Sequence, residues 1–140
     1  MKTEVWLTVT GEQRDTDGRS DRNEGRYRAL YENADGIHIF EYQERDPESG
    51  DITESRMVIT EGSWTITRSG ALRTVMEFEP GSGKECLYDT AFGSIPMTVL
   101  TGRMGMRKTE DRFRARVTYS LRFGGGDPMD CAVTIKAEPV

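Results

Sequence analysis

The segment Arg112–Phe123 alternates without a break between apolar and polar side chains. Its apolar phase consists of Phe113, Ala115, Val117, Tyr119, Leu121 and Phe123. A period of two residues puts every second side chain on the same face of a β-strand, so the pattern predicts a strand with one buried face. Such a strand must belong to a sheet that packs against a second layer or closes on itself.

Similar patterns recur along the chain, separated by turns of hairpin length. The other predicted strands are Thr3–Glu12, Arg26–Asn33, Ile37–Glu44, Ile52–Thr60, four strands within Glu61–Thr101, and Met129–Glu138. No helical pattern of comparable length competes with them. Sequential antiparallel strands with local connections predict one all-β domain over residues 1–140, an antiparallel up-and-down β-barrel of about 8–10 strands. The polar run Gln13–Gly25 is predicted to be an exposed loop.

Composition narrows the classes of function. The net charge of −5 disfavours nucleic acid and anionic membranes as partners, because both reward a basic face. No run of apolar residues is long enough for a transmembrane helix, and the first residues lack the apolar core of a secretory signal. We therefore expect a cytoplasmic protein. The arginines on the polar phase of Arg112–Phe123 are expected to pair with acids on neighbouring strands.

The residue types that usually carry metals or catalysis are sparse. Cys86 and Cys131 each alternate with apolar residues, which is typical of small buried side chains, and a disulfide between them is the alternative. The single histidine, His38, shares a strand face with Phe40 and has no nucleophile in a known arrangement. We expect no metal, no cofactor, no catalytic residues and no enzymatic activity.

Arg68 is the strongest candidate for a binding residue. Strand alternation puts it on the same face as Trp64 and Ile66, and a charge on an apolar face needs a partner or a ligand. A guanidinium inside a barrel suits a carboxylate or phosphate headgroup, with Tyr88 and Tyr119 as further hydroxyl donors. Two structural alternatives remain open at this stage. Arg68 either pairs with an internal acid such as Glu41, or lies at the rim with its charge in water.

A wider set of residues resembles the YwiB-like family of bacterial proteins. The matching residues are Tyr42, Gln43, Glu44, Ile59, Thr60, Glu61, Gly62, Arg68, Ser69, Gly70, Met76, Phe78, Gly81, Tyr88, Thr90, Gly93, Met97, Thr101, Tyr119, Ser120 and Leu121. The resemblance implies a calycin-type β-barrel related in shape to lipocalins, in a family without an established reaction or ligand. Likeness to lipid carriers in fold does not by itself give a function.

Two functions therefore follow as expectations. The first is binding of a small apolar or amphipathic anionic ligand in the barrel lumen, through Arg68, Tyr88, Tyr119 and Trp64. The alternative is a filled barrel that serves as a protein-interaction or homodimerisation module through an exposed strand or face. The volume of the lumen and the partner of Arg68 distinguish them.

Overall fold

The computed structural model describes residues 1–70, 73–90 and 92–140, and the described residues form ten β-strands. The strands are β1 Thr3–Arg14, β2 Ser20–Ala34, β3 Ile37–Arg45, β4 Ile52–Ile59, β5 Trp64–Gly70, β6 Thr74–Phe78, β7 Gly83–Thr90, β8 Gly93–Lys108, β9 Phe113–Phe123 and β10 Met129–Pro139. Leu72, which the sequence pattern assigns to the inner face of β6, lies outside the described residues. No helix that could span a bilayer occurs in the described part of the chain.

The strands form one antiparallel sheet in the order β6-β5-β4-β3-β2-β1-β10-β9-β8-β7. Every neighbouring pair is consecutive in the chain except β1 and β10, whose ladder joins the first and last strands from Val5 opposite Pro139 to Arg14 opposite Asp130. The seam of the barrel lies between β6 and β7, where a bridge links Arg73 to Asp89. This arrangement confirms the predicted up-and-down antiparallel barrel.

The core fills the interior of the barrel. The largest fully buried side chains are Trp64, Phe40, Phe78, Leu7, Met57, Ile59, Ile66, Ile135, Val99 and Val117. On β9 the inner positions alternate with exposed ones from Phe113 to Val117, as the sequence pattern predicts. Burying an apolar side chain of this size stabilises the fold by roughly 1.5–3 kcal/mol each, so the lumen is the main source of stability.

One hairpin shows how local sequence sets the strand register. Asp35 and Gly36, with φ of 52° and 79°, form the two-residue loop between β2 and β3, and Ala34 pairs with Ile37 across it. Both loop residues need positive φ, which glycine and aspartate tolerate better than most residues. The hairpin-length turn predicted between the strands Arg26–Asn33 and Ile37–Glu44 is confirmed.

The polar segment 13–25 differs from its prediction. It is a hairpin, because β1 runs to Arg14, β2 starts at Ser20 and the turn covers only residues 15–19. Ladder bonds hold this extension, with Gln13 paired to both Asp21 and Cys131. A strand that exposes both faces carries no apolar alternation, so the sequence pattern could not distinguish it from a loop.

The inner face of β3, which the sequence left open, consists of His38, Phe40, Tyr42 and Glu44. The first three are buried, while Ile37 is exposed and Glu41 faces outward. This phase is important for the interior of the barrel, because it puts the carboxylate of Glu44, and not that of Glu41, on the same face as Arg68.

Candidate binding site in the barrel interior

A row of polar side chains crosses four adjacent strands on the inner face. Tyr42 on β3 lies opposite Ser55 on β4, Ser55 lies opposite Arg68 on β5, and Arg68 lies opposite Thr74 on β6. Tyr42, Ser55 and Thr74 are buried, and 27% of the Arg68 side chain remains accessible. Residues directly opposite on neighbouring strands have close Cβ atoms, so these four side chains form one continuous polar surface.

Glu44 supplies the negative charge next to this row. Its Oε2 lies 3.3 Å from Nε of Arg68 and accepts a hydrogen bond of 2.9 Å from the Ser55 hydroxyl. Of the alternatives left open for Arg68, the structure shows pairing with an acid on the inner face, and that acid is Glu44 rather than Glu41. Glu41 faces outward and binds Lys2 at 2.9 Å.

Four buried donor groups on the inner face of β3, β5 and β6 lack a hydrogen-bond acceptor among the described residues. They are the hydroxyl of Tyr42, Nε1 of Trp64, Nε of Arg68 and the hydroxyl of Thr74. The contact between Arg68 and Glu44 is close enough for an ion pair, but it is not a hydrogen bond from Nε. A buried polar group without a partner costs roughly 1–3 kcal/mol, so such groups usually bind water or a ligand. Because all four can donate, the region suits a group that is rich in acceptors.

The four donors are not all close together. Tyr42, Arg68 and Thr74 belong to the same cross-strand row, whereas Trp64 lies four residues before Arg68 on β5, or about 13 Å along the strand. Trp64 packs edge-on against Phe78, with ring centroids 6.3 Å apart. The structure therefore puts Trp64 and Arg68 on one face, as predicted, but only Arg68 belongs to the polar row.

Tyr27 brings a further hydroxyl to the cluster from β2. Its ring lies 4.8 Å from that of Tyr42 and covers Gly25, where a Cβ atom would collide with the tyrosine ring. Burial, and then the negative charge of Glu44, raise the pKa of the Tyr27 and Tyr42 hydroxyls, against the opposing effect of Arg68. Both tyrosines therefore stay protonated near neutral pH and act as donors.

Tyr119 faces the same interior from β9. Its ring lies 4.8 Å from Phe78, and burial raises the pKa of its hydroxyl, while the charge of Arg68 acts in the opposite direction. Arg68 and Tyr119 therefore both lie at inner positions of the sheet. Tyr88 lies elsewhere: it pairs with Ile95 on β8 and packs edge-on against Phe123 at 6.1 Å, so no described contact joins it to Arg68.

An open groove with a volume of about 980 Å³ lies beside Tyr119. It is lined by residues of β1, β2, β8, β9 and β10, among them Gln13, Thr101, Arg116, Tyr119 and Cys131. Ligand pockets in proteins typically have volumes of about 300–1,000 Å³, so the groove is large enough for a small molecule. Arg68 does not line it. Tyr119 lines the groove, and the charge of Arg68 acts on its hydroxyl from the interior.

His38 and the cysteines have structural surroundings. His38 is buried, and its Nδ1 lies 2.7 Å from the Tyr31 hydroxyl. Burial, followed by the charge of Lys108, lowers the pKa of His38. Cys86 and Cys131 are free thiols, and burial raises the pKa of Cys131 to about 11. No group of three or more metal-ligating side chains occurs among the described residues.

Sequence patterns identified Arg68 and Tyr119 but missed Tyr42, Glu44, Ser55 and Thr74. Glu44 could have been found from the phase it shares with Phe40 and Tyr42, if the inner face of β3 had been known. Ser55 and Thr74 depend on the register between strands, which a single strand pattern does not contain.

The fold and interior define a class: a ten-stranded antiparallel barrel with a donor-rich polar row in a mainly apolar lumen. The chain belongs to the family described as a domain of unknown function, DUF1934, whose model matches residues 7–135. The barrel is similar to the crystal structure of the ywiB protein from Bacillus subtilis, with a TM-score of 0.87 and 22% sequence identity over 99% of this chain and 93% of that chain. Among proteins with curated descriptions, none matches the sequence.

Proposed function

We propose that this protein binds a small amphipathic molecule with an anionic or acceptor-rich headgroup inside the barrel. The headgroup binds at the polar row around Arg68, and the apolar body extends toward Tyr119 and the groove. Because the core fills the lumen and Arg68 does not line the groove, core side chains between Arg68 and the groove must move to admit the ligand. The role is binding without chemical conversion of the ligand.

The observation that carries the proposal is the set of unsatisfied donors in that row. Tyr42, Arg68 and Thr74 each hold a buried donor atom without an acceptor among the described residues, and they lie on inner positions of β3, β5 and β6. In a barrel with a purely structural role, three such groups bring no benefit, because each buried donor without an acceptor destabilises the ligand-free protein. A carboxylate or phosphate group beside Arg68 would give its Nε an acceptor and its guanidinium a second anionic partner, with the hydroxyls of Tyr42 and Thr74 as further donors in the same row.

Glu44 competes with the ligand for Arg68. The ion pair at 3.3 Å holds the guanidinium in place while no ligand is bound, and an arriving anion must share Arg68 with this carboxylate. Removing the negative charge while keeping the shape, as in Glu44→Gln, should therefore strengthen binding of an anion. Removing the positive charge, as in Arg68→Gln, should weaken it.

The experiment is a calorimetric titration of the purified protein with dodecanoate and with dodecanol, which has the same chain but no charge. The proposal expects dodecanoate to bind better than dodecanol by about tenfold or more, in line with one charged hydrogen-bonded contact of ~1.5–3 kcal/mol. Arg68→Gln should remove this preference and Glu44→Gln should increase it. Equal affinity for the two ligands, unaffected by either substitution, contradicts the proposal.

A second candidate function is an interaction module, and exposed apolar side chains near the seam favour it. Val75 on β6, Leu87 on β7 and Leu100 on β8 are 43%, 55% and 53% exposed on the outer face. Exposed apolar groups next to a sheet seam are typical of association sites.

Light scattering tests this second function. A dimer that Leu87→Lys converts to a monomer supports it, provided that Leu30→Lys, an exposed position on β2 far from the seam, leaves the dimer intact. A monomer at every concentration up to the millimolar range argues against homodimerisation.

A further inference from the structure

Four basic residues form a row across the outer face of the sheet. Arg26 on β2 and Lys136 on β10 both pair with Thr8 on β1; Lys136 also pairs with Arg114 on β9, and Arg114 with Arg107 on β8. All four basic residues are exposed. With about 4.8 Å between neighbouring strands, the row from Arg26 to Arg107 is roughly 19 Å long.

Three of these cations have no counter-charge in the described part of the chain. Lys136, Arg114 and Arg107 make no ion pair with a described residue, whereas Arg26 lies 3.4 Å from Glu138. Like charges directly opposite on neighbouring strands destabilise a sheet, so the register puts three uncompensated cations where they repel one another. The expected pairing with neighbouring acids holds for Arg112, which lies 3.9 Å from Glu138, and for Arg116, which binds Glu12 at 3.1 Å. Among the described residues it does not hold for Arg114 or Arg122.

The surroundings of the row add a concave surface and an aromatic ring. A depression of about 340 Å³ is lined by charged residues and their neighbours in sequence: Arg112, Phe113, Arg114, Lys136, Ala137 and Glu138, together with Thr8. At the β2 end, the guanidinium of Arg26 lies 4.4 Å from the centre of the Trp6 ring. The face therefore combines guanidinium groups, an ammonium group and an indole.

We propose that this outer face binds single-stranded nucleic acid, with the phosphodiester backbone along the row from Arg26 to Arg107. Planar guanidinium groups suit phosphate oxygens, and single-strand binding surfaces combine such cations with aromatic rings on which bases stack. The length of the row favours a polymer, because a compact anion in the 340 Å³ depression cannot also reach both Arg26 and Arg107.

Two other polyanions fit less well. An anionic membrane surface usually requires apolar side chains that insert among the cations, whereas the residue between Arg26 and Lys136 is the polar Thr8. An acidic peptide would gain backbone hydrogen bonds at a strand edge, whereas this row crosses the middle of the sheet on β2, β1, β10, β9 and β8. The net charge of −5 is an average over the chain and does not describe this face.

The test is fluorescence anisotropy with a labelled oligouridylate of ~12 nucleotides, a length within the range of single-strand binding sites. The wild-type protein should bind it, and the triple variant Arg107→Gln, Arg114→Gln and Lys136→Gln should bind about tenfold or more weakly. The slope of log K against log salt should become shallower by ~0.7 for each phosphate that the variant no longer neutralises, or about 2 for the three cations.

The matched control removes three other exposed cations, Arg45→Gln, Arg56→Gln and Arg122→Gln, and so causes the same change in net charge. It should keep wild-type affinity. Equal weakening of binding in both triple variants reduces the effect to bulk charge and overturns the proposal. A protein that does not bind the oligonucleotide at low salt also overturns the proposal. This includes a protein that instead binds an oligoglutamate peptide or phosphatidylserine vesicles through the same three cations. Since all six side chains are exposed, circular dichroism should show folded protein in both variants.

Discussion

Nε of Arg68 on β5 lies 3.3 Å from Oε2 of Glu44 on β3, and the hydroxyl of Ser55 on the intervening strand β4 donates to the same oxygen. One carboxylate oxygen thus links three neighbouring strands inside the barrel. Less than a third of each charged side chain is accessible, so the pair is screened less than a surface pair.

Glu44→Gln should therefore destabilise the protein by about 1 kcal/mol, because Arg68 loses its charged partner in a partly buried position. Urea unfolding at neutral pH measures the change. Glu54→Gln is the control, since Glu54 lies on the exposed face of β4 and accepts its hydrogen bond from Gln43. A Glu44→Gln protein as stable as wild type would show that the ion pair does not hold β3 and β5 together.

The unsatisfied hydroxyl of Tyr42 gives an unusual expectation for a buried tyrosine. Because this hydroxyl has no acceptor among the described residues, Tyr42→Phe should leave the free energy of unfolding unchanged or raise it by up to ~1 kcal/mol without ligand. Tyr31→Phe should instead lower it by ~1 kcal/mol, because the Tyr31 hydroxyl bonds to His38. The same urea titration compares the two variants. A clear loss of stability in the Tyr42→Phe single variant would show that the Tyr42 hydroxyl does have a stabilising partner.

The two cysteines should differ in reactivity. Burial raises the pKa of both thiols, but Cys131 is buried and reaches about 11, whereas Cys86 is only half-buried. Since the thiolate is the nucleophile, iodoacetamide near pH 8 should modify Cys86 first and Cys131 only after unfolding. Peptide mass spectrometry over a time course identifies the order. Faster modification of Cys131 in the native protein would contradict its burial between β1 and β9.

His38 should make stability depend on pH. Its pKa in the folded state is lowered by burial, so the unfolded chain binds the proton more tightly. The stabilisation is present above the unfolded pKa of ~6.5 and is lost as pH falls through the lower folded value. Urea midpoints at pH near 7.5, 6.5 and 5.5 should decrease in that order. His38→Gln should flatten this part of the profile, and an unchanged slope in that variant would exclude His38 as its source.

The fold was predictable because most strands bury one face. On β9 the row from Phe113 to Leu121 carries the signal in its own sequence, and at Asp35 and Gly36 the turn chemistry fixes the register. The extension of β1 and β2 beyond Glu12 was not predictable, since backbone pairing with β10 holds it and its side chains are polar on both faces.

The candidate site was only partly predictable. Arg68 could be found because a charge interrupts an apolar face, but its partner depends on which face of β3 is internal, and both faces carry apolar residues there. The polar row from Tyr42 to Thr74 and the basic row from Arg26 to Arg107 arise from registers across four and five strands. Such registers follow from the closed barrel as a whole and not from any one segment.

The most direct test of the interior site is the ¹H–¹⁵N signal of the Arg68 side chain, assigned by its absence in Arg68→Gln. Titration with dodecanoate should shift the Nε–Hε resonance of Arg68 in a saturable way, because this donor gains an acceptor. Dodecanol should leave it nearly unchanged. A signal that stays fixed while dodecanoate binds elsewhere, or that moves equally with both ligands, would contradict an anion site at Arg68.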